Sequence, residues 1–229
     1  MGYPKLIVFM RHAESTGNVR TREQNLAARV APHAYDLTPR GRLQAAASGG
    51  HILGTHGTFD VHYVSTYDRT RLTLYESDIA KAGSGDIIET SLLDEAQFGI
   101  WHFHARDELN ALFPKERDRQ QGIGLYHYRP FGGENWPDIE MRVRMLLAEL
   151  CRDWSGKKVL LVGHGNYFAA FLRVVERVSI GTMLDMSGLN PVPNCSVVTY
   201  RGTGPWYAPW NRTRLSYESI EVPWQGLDI

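Results

Sequence analysis

Two apolar runs of this sequence finish alike: Leu6–Met10 ends in Arg11-His12, and Val159–Val162 ends in Gly163-His164-Gly165. A third, Asp60–Val64, runs into Ser65-Thr66-Tyr67-Asp68-Arg69, and a fourth that begins at Ile87 leads to Leu93-Asp94-Glu95. Guanidinium forks bind tetrahedral oxyanions through paired N–H groups. An imidazole supplies a nucleophilic nitrogen, and a carboxyl can hand a proton to a departing oxygen. A phosphoryl group in transfer spreads its charge over three oxygens that need fixed positive partners. If the four ends meet, Arg11, His12, Arg69, Glu95 and His164 form a phosphoryl pocket. A lone His or Arg at a strand end is usually a satisfied structural group, so the conjunction carries the expectation.

The elements that must position these residues are readable. The apolar β-rich runs alternate with helical patterns over Thr38–Leu53, Thr70–Ala80, Ile139–Trp154 and Phe168–Val178. Such alternation predicts an α/β fold: a single domain with a mainly parallel central sheet and helices on both faces. In open sheets of this kind ligands sit outside the carboxyl ends of the strands, where both histidines fall. Thr38-Pro39 reads as a helix start, and Ile139, Val143, Leu146, Leu147 and Leu150 mark one helical face. The loop-rich stretch 101–137 reads as a cap insertion over one end of the sheet. In the tail 202–229, Trp206, Trp210 and Trp224 could cover a sheet edge or the partner subunit of a homodimer.

Composition narrows the classes of function. The chain has 229 residues, 43% hydrophobic and 22% charged, as one globular domain requires. Its 25 basic and 25 acidic residues cancel, so long-range attraction recruits neither nucleic acid nor an anionic membrane, and anion binding must be local. The N-terminal apolar run is too short for a signal peptide or a membrane span. Cys151 and Cys195 sit among apolar neighbours as buried thiols would, which predicts a reducing, cytoplasmic setting. Cys195 and Arg201 have the Cys-x5-Arg spacing of cysteine-dependent phosphatases. The intervening Val197, Val198, Thr199 and Tyr200 are strand formers, though, and not the small residues of a phosphate loop, so Cys195 is expected to pack in a sheet. His102, His104 and His62 lack the acidic or histidine companions of a metal site, and no metal or cofactor is expected.

Taken together, Arg11-His12-Ala13-Glu14-Ser15, Ser65 with Arg69 and Thr73, Leu93-x-Glu95-x-x-x-Gly99-x-Trp101, Gly133-Glu134-Asn135 and Val162-Gly163-His164-Gly165 resemble the histidine phosphatase superfamily, also called phosphoglycerate-mutase-like. Asn18, Leu37-Thr38-x-x-Gly41-x-x-Gln44-Ala45 and Asn194-Cys195-Ser196-Val197 agree with it. The resemblance implies metal-independent hydrolysis of a small phosphorylated substrate through a phosphohistidine on His12. Arg11, Arg69 and His164 would hold the phosphoryl oxygens, and Glu95 would serve as general acid and base. Asn18, Ser15, Gly165 and Arg129 would complete substrate binding. Glu95 in that role wants its proton affinity raised by burial or by a like charge, which Asp94 or Glu14 could supply. Ala13 and Asn135 depart from the family's usual Gly and Ser; a backbone needing positive φ would make Ala13 strained. The block Ser91–Gly99 lacks the pattern of the cofactor-dependent mutases, which favours the phosphatase branch. Mutase-type phosphoryl transfer and a non-catalytic phospholigand-binding module remain as alternatives; a mutase would need a second anion site, for which Arg129, Arg106 and Lys115 are candidates.

Overall fold

The computed structural model describes residues 2–188, 191–202 and 215–229; Trp206 and Trp210 lie outside the described residues, as does the side chain of Arg106. Strands β1 (Leu6–Arg11), β2 (Val61–Val64), β3 (Asp86–Glu89), β4 (Lys158–Gly163), β5 (Val197–Gly202) and β6 (Leu215–Glu221) form one sheet in the order β3-β2-β4-β1-β5-β6. β1 with β4, β4 with β2 and β2 with β3 pair in parallel, whereas β5 is antiparallel to both β1 and β6. The helices are α1 (Thr16–Val19), α2 (Arg22–Ala27), α3 (Pro39–His56), α4 (Asp68–Glu76), α5 (Ile100–Phe103), α6 (Arg106–Leu112), α7 (Glu116–Ile123), α8 (Trp136–Asp153), α9 (Gly165–Val175) and α10 (Ile180–Gly188).

β1 lies between β4 and β5 and is buried on both faces, which is why it carries no polar residue before Arg11. The two-residue period of the strand divides its side chains between two cores. Ile7 and Phe9 join Leu161, Tyr63, Leu146 and Phe171 beneath α8 and α9. Leu6, Val8 and Met10 join Leu160, Val64, Ile52 and Leu74 beneath α3 and α4. The expected parallel α/β sheet with helices on both faces is therefore present, extended at one edge by β5 and β6.

Local chemistry sets the helix ends. Thr38 Oγ1 accepts from Gly41 N at 2.9 Å, with Pro39 in the first turn of α3. Asn135 Oδ1 accepts from Asp138 N while Asp138 accepts from Asn135 N, a reciprocal cap on α8. The structure starts α4 and α9 before the spans predicted from apolar periodicity: α9 begins at Gly165 directly behind β4, and α4 ends before Asp78, which takes φ +56. The predicted cap stretch contains the short helices α5, α6 and α7. Among the described residues no helix is long and apolar enough to cross a membrane.

Candidate active site

Sheet register gathers the predicted residues. Arg11 lies opposite Gly163, and His12 N donates to Gly163 O at 2.9 Å. On the other flank of β4, Ser65 N donates to Val162 O at 3.2 Å. Residues 12, 164 and 65 thus leave three adjacent strands side by side. The rings of His12 and His164 lie 5.1 Å apart between centroids, and both are buried.

Each imidazole is held in one tautomer. Ala13 O can only accept, so His12 Nδ1 carries the proton and donates to it at 2.7 Å. This leaves a lone pair on Nε2, which accepts from Arg69 Nε at 3.1 Å. Arg69 spans the site, because NH1 donates to Pro32 O at 2.7 Å and NH2 to His164 Nδ1 at 3.0 Å. His164 therefore carries its proton on Nε2, which donates to Ser65 Oγ at 2.8 Å. Burial first, then the charges of Arg69 and Arg11, hold both rings well below the usual histidine range, so both are neutral near pH 7. Arg11 NH1 donates to Val192 O, while its buried Nε has no partner among the described residues. A buried guanidinium N–H without an acceptor is a donor poised for an anion.

The surrounding motifs fix this constellation from behind. Thr73 Oγ1 accepts from Ala13 N at 2.9 Å and donates to Arg69 O at 2.6 Å, tying the loop after β1 to α4. Gln44 Oε1 accepts from Glu14 N at 3.0 Å, and a Cβ on Gly41 would meet Glu14 O at 2.0 Å, so α3 lies directly against that loop. Ala13 is not among the residues with positive φ and carries no such strain. Glu95 Oε1 accepts from Ala96 N at 2.9 Å and from Tyr167 N at 3.3 Å in the first turn of α9. The loop that carries Glu95 is clamped by Arg142, which donates to Leu92 O and Asp94 O at 3.1 and 2.8 Å and pairs with Glu134 at 2.8 Å. Gly99, at φ +52, packs where a Cβ would meet Phe131 O at 2.0 Å.

The pocket opens into a cleft of about 870 Å³ whose lining includes Arg11, His12, Arg69 and Glu95, with Ser15, Asn18, Tyr35, Tyr67, Phe98, Trp101 and His102. Ser15 is buried, and its N and Oγ both donate to Asn18 Oδ1 at 3.0 Å. Gly165 faces Arg11, with Cζ 3.4 Å from where a Cβ would stand.

Three expectations need correcting. Arg129 does not reach the cleft: it is 56% exposed and pairs with Asp138, which the start of α8 brings within its reach. Neither Asp94 nor Glu14 turns its carboxylate to Glu95. Asp94 accepts from Ser65 Oγ and Thr66 N, and Glu14 from Thr38 Oγ1 and Arg40. Cys195 sits in the turn before β5 at φ +52, not within a strand; burial pushes its thiol up to about 12, far from a thiolate nucleophile.

Sequence reasoning also missed Arg20, Arg22 and Arg29, which among the described residues bring the arginines lining the cleft to five against the single carboxylate of Glu95. It missed how Asn194 works: Nδ2 donates to His12 O at 2.9 Å. No spacing signal links Asn194 or α2 to the strand ends, although Asn194 stands in a motif of the resemblance. Among the described residues no group of three His, Cys, Asp or Glu converges on a metal position; His104 Nδ1 lies 3.2 Å from Glu108, and the His102 ring stacks on Phe98.

Comparison with known proteins bears on the family and the fold. The profile of the histidine phosphatase superfamily (branch 1) matches residues 7–213. A phosphoglycerate mutase-like protein of Arabidopsis thaliana is 34% identical over 188 residues, 74% of this chain and 57% of that protein, so the chain spans little more than half of its length. A 2,3-bisphosphoglycerate-dependent phosphoglycerate mutase of Methylobacterium radiotolerans is 28% identical, with 82% of this chain and 87% of that one covered. Among solved structures, a putative alpha-ribazole-5'-P phosphatase from Escherichia coli superposes with a TM-score of 0.72 at 16% identity, covering 95% of this chain and 96% of the other. A mycobacterial glucosyl-3-phosphoglycerate phosphatase superposes at 0.65 and 21%, covering 95% and 97%.

Proposed function

This chain belongs to the histidine phosphatase superfamily, and from that premise we propose that it hydrolyses a phosphomonoester through a covalent phosphohistidine on His12. The observation that carries the reading is the pairing of a neutral, tautomer-fixed His12 Nε2 with Arg69 Nε at 3.1 Å: a nucleophile whose lone pair already faces the cation that would hold its target. As a phosphoryl group enters, Arg69 exchanges the two imidazole nitrogens for phosphoryl oxygens, and Arg11 Nε, without a partner among the described residues, takes another. Asn18 and His164 complete the oxygen contacts. Nε2 attacks phosphorus, Glu95 protonates the departing oxygen, and water activated by Glu95 then cleaves the phosphohistidine. Every step is assigned to a side chain, so the reading needs no metal. The buried thiols of Cys151 and Cys195 support a reducing, cytoplasmic setting.

Mutase-type transfer is the second reading. The five arginines of the cleft favour it, because one phosphoryl group does not need them all. A non-catalytic binding module is disfavoured, since a sensor needs cations but neither a nucleophile nor an acid. One experiment separates the three. A panel of phosphomonoesters is followed for inorganic phosphate release and for transfer to an added hydroxy acid, with and without chelator. Chelator-insensitive release supports hydrolysis, dominant transfer supports the mutase, and ligand binding without either reaction supports the module.

A further inference from the structure

Asp94 precedes the proposed acid in sequence yet serves a different residue. Its Oδ1 accepts from Ser65 Oγ at 2.8 Å, and Ser65 Oγ accepts from His164 Nε2 at 2.8 Å. His164 and Ser65 are both 0% exposed, so ring, hydroxyl and carboxylate form a continuous chain leading out of the buried pocket floor. The direction of every bond in it is forced. Arg69 can only donate, so His164 Nδ1 accepts; the ring proton on Nε2 goes to Ser65, and the Ser65 proton goes to Asp94.

In this state the His164 Nδ1 lone pair rests on Arg69 NH2, a guanidinium that lines the cleft. A phosphoryl oxygen is itself an acceptor, so the ring can hold one only after gaining a proton on Nδ1. The groups that face it include Arg69, Arg11, Arg142 and His12, all of which oppose a second ring proton, and the Tyr67 ring stands 5.0 Å away. Glu95 lines the cleft above. Asp94 is the carboxylate wired to the ring, through one hydroxyl.

We propose that Asp94, acting through Ser65, supplies the buried negative charge that lets His164 take a proton on Nδ1 when a phosphoryl group binds. The proton arrives with a phosphoryl monoanion, which leaves it on Nδ1 and remains in the pocket as the dianion. The Nε2 and Ser65 protons stay in place, and no bond to phosphorus changes. Asp94 and Ser65 are positioning residues for the reaction proposed above, and their role rests on that reading.

Inorganic phosphate is the probe, and ¹⁵N-histidine NMR at neutral pH is the readout. In the unmodified protein His164 is expected to be singly protonated without phosphate and doubly protonated when phosphate saturates the site. Asp94→Asn keeps an oxygen for Ser65 and Thr66 and removes only the charge. It is expected to leave His164 singly protonated in the complex and to weaken phosphate binding and raise KM roughly tenfold, with a smaller change in kcat. Ser65→Ala breaks the same chain and is expected to reproduce that loss, with Ser65→Thr restoring binding. Thr66→Val removes another hydrogen bond to Asp94, 2.9 Å long, without touching the chain, and is expected to leave the His164 signals unchanged. Phosphate binding with a singly protonated His164, or Asp94→Asn with unchanged signals and affinity, overturns this proposal alone. Absence of phosphate binding overturns the phosphoryl reading and this proposal with it.

Discussion

The ends of β1 and β4 deliver the same residue by the same device and then treat it differently. His12 gives its second nitrogen to a backbone carbonyl, Ala13 O, which cannot titrate and cannot rotate away. His164 gives its second nitrogen to Ser65, a side chain backed by Asp94. A carbonyl anchor locks one tautomer and keeps one lone pair on show, as a nucleophile requires. A hydroxyl and carboxylate anchor tolerates a change of charge, as an oxyanion holder requires. Arg69 joins the two by donating to both rings at once.

The largest expected effect comes from breaking that join. Arg69→Lys keeps the charge but cannot serve His12, His164 and Pro32 O together, and kcat/KM is expected to fall about 100-fold or more in steady-state assays. Gly99→Ala tests the chain next to Phe98, a cleft residue, where it packs against Phe131 and Gly133. At φ +52 and with Phe131 O in the way, it is expected to cost about 2–4 kcal/mol in chemical denaturation. Thr73→Val, which leaves the buried Ala13 N–H without its acceptor, is expected to cost roughly 1–2 kcal/mol and to lower kcat more than it raises KM. The smallest effect concerns pH. Both rings resist protonation in the folded state, whereas an unfolded histidine takes up a proton near about 6.5. The folded form therefore loses stability as pH falls below that value and keeps its full histidine contribution above it. Denaturation midpoints across pH 5–8 check the sign, and a midpoint that rises on acidification contradicts it.

Much of this architecture was legible because it is written in local pattern. An apolar run ending in His marks a strand end, and Thr38-Pro39 marks a capped helix start; that Gly41 lies against Glu14 O is visible only in the fold. What could not be read depends on long-range pairing. Asn194 reaches His12 O across 182 residues, and Arg22 reaches Trp101 O across 79. Arg129 misled because the sequence places it beside Gly133-Glu134-Asn135, whereas the cap of α8 brings Asp138 up to take its charge. Asp94 misled in the opposite way. Adjacent in sequence to Glu95, it turns back toward β2, because the chain leaves the helical turn Ser91–Leu93 with extended backbone at Asp94.

The most direct test of the account is to locate the covalent intermediate. The protein is mixed with a generic phosphate ester, quenched in alkali, which preserves phosphohistidine, and digested for mass spectrometry. Phosphate on His12, absent from His12→Gln together with turnover, is the expected result. Turnover that survives His12→Gln, or phosphate carried by a different residue, would contradict it.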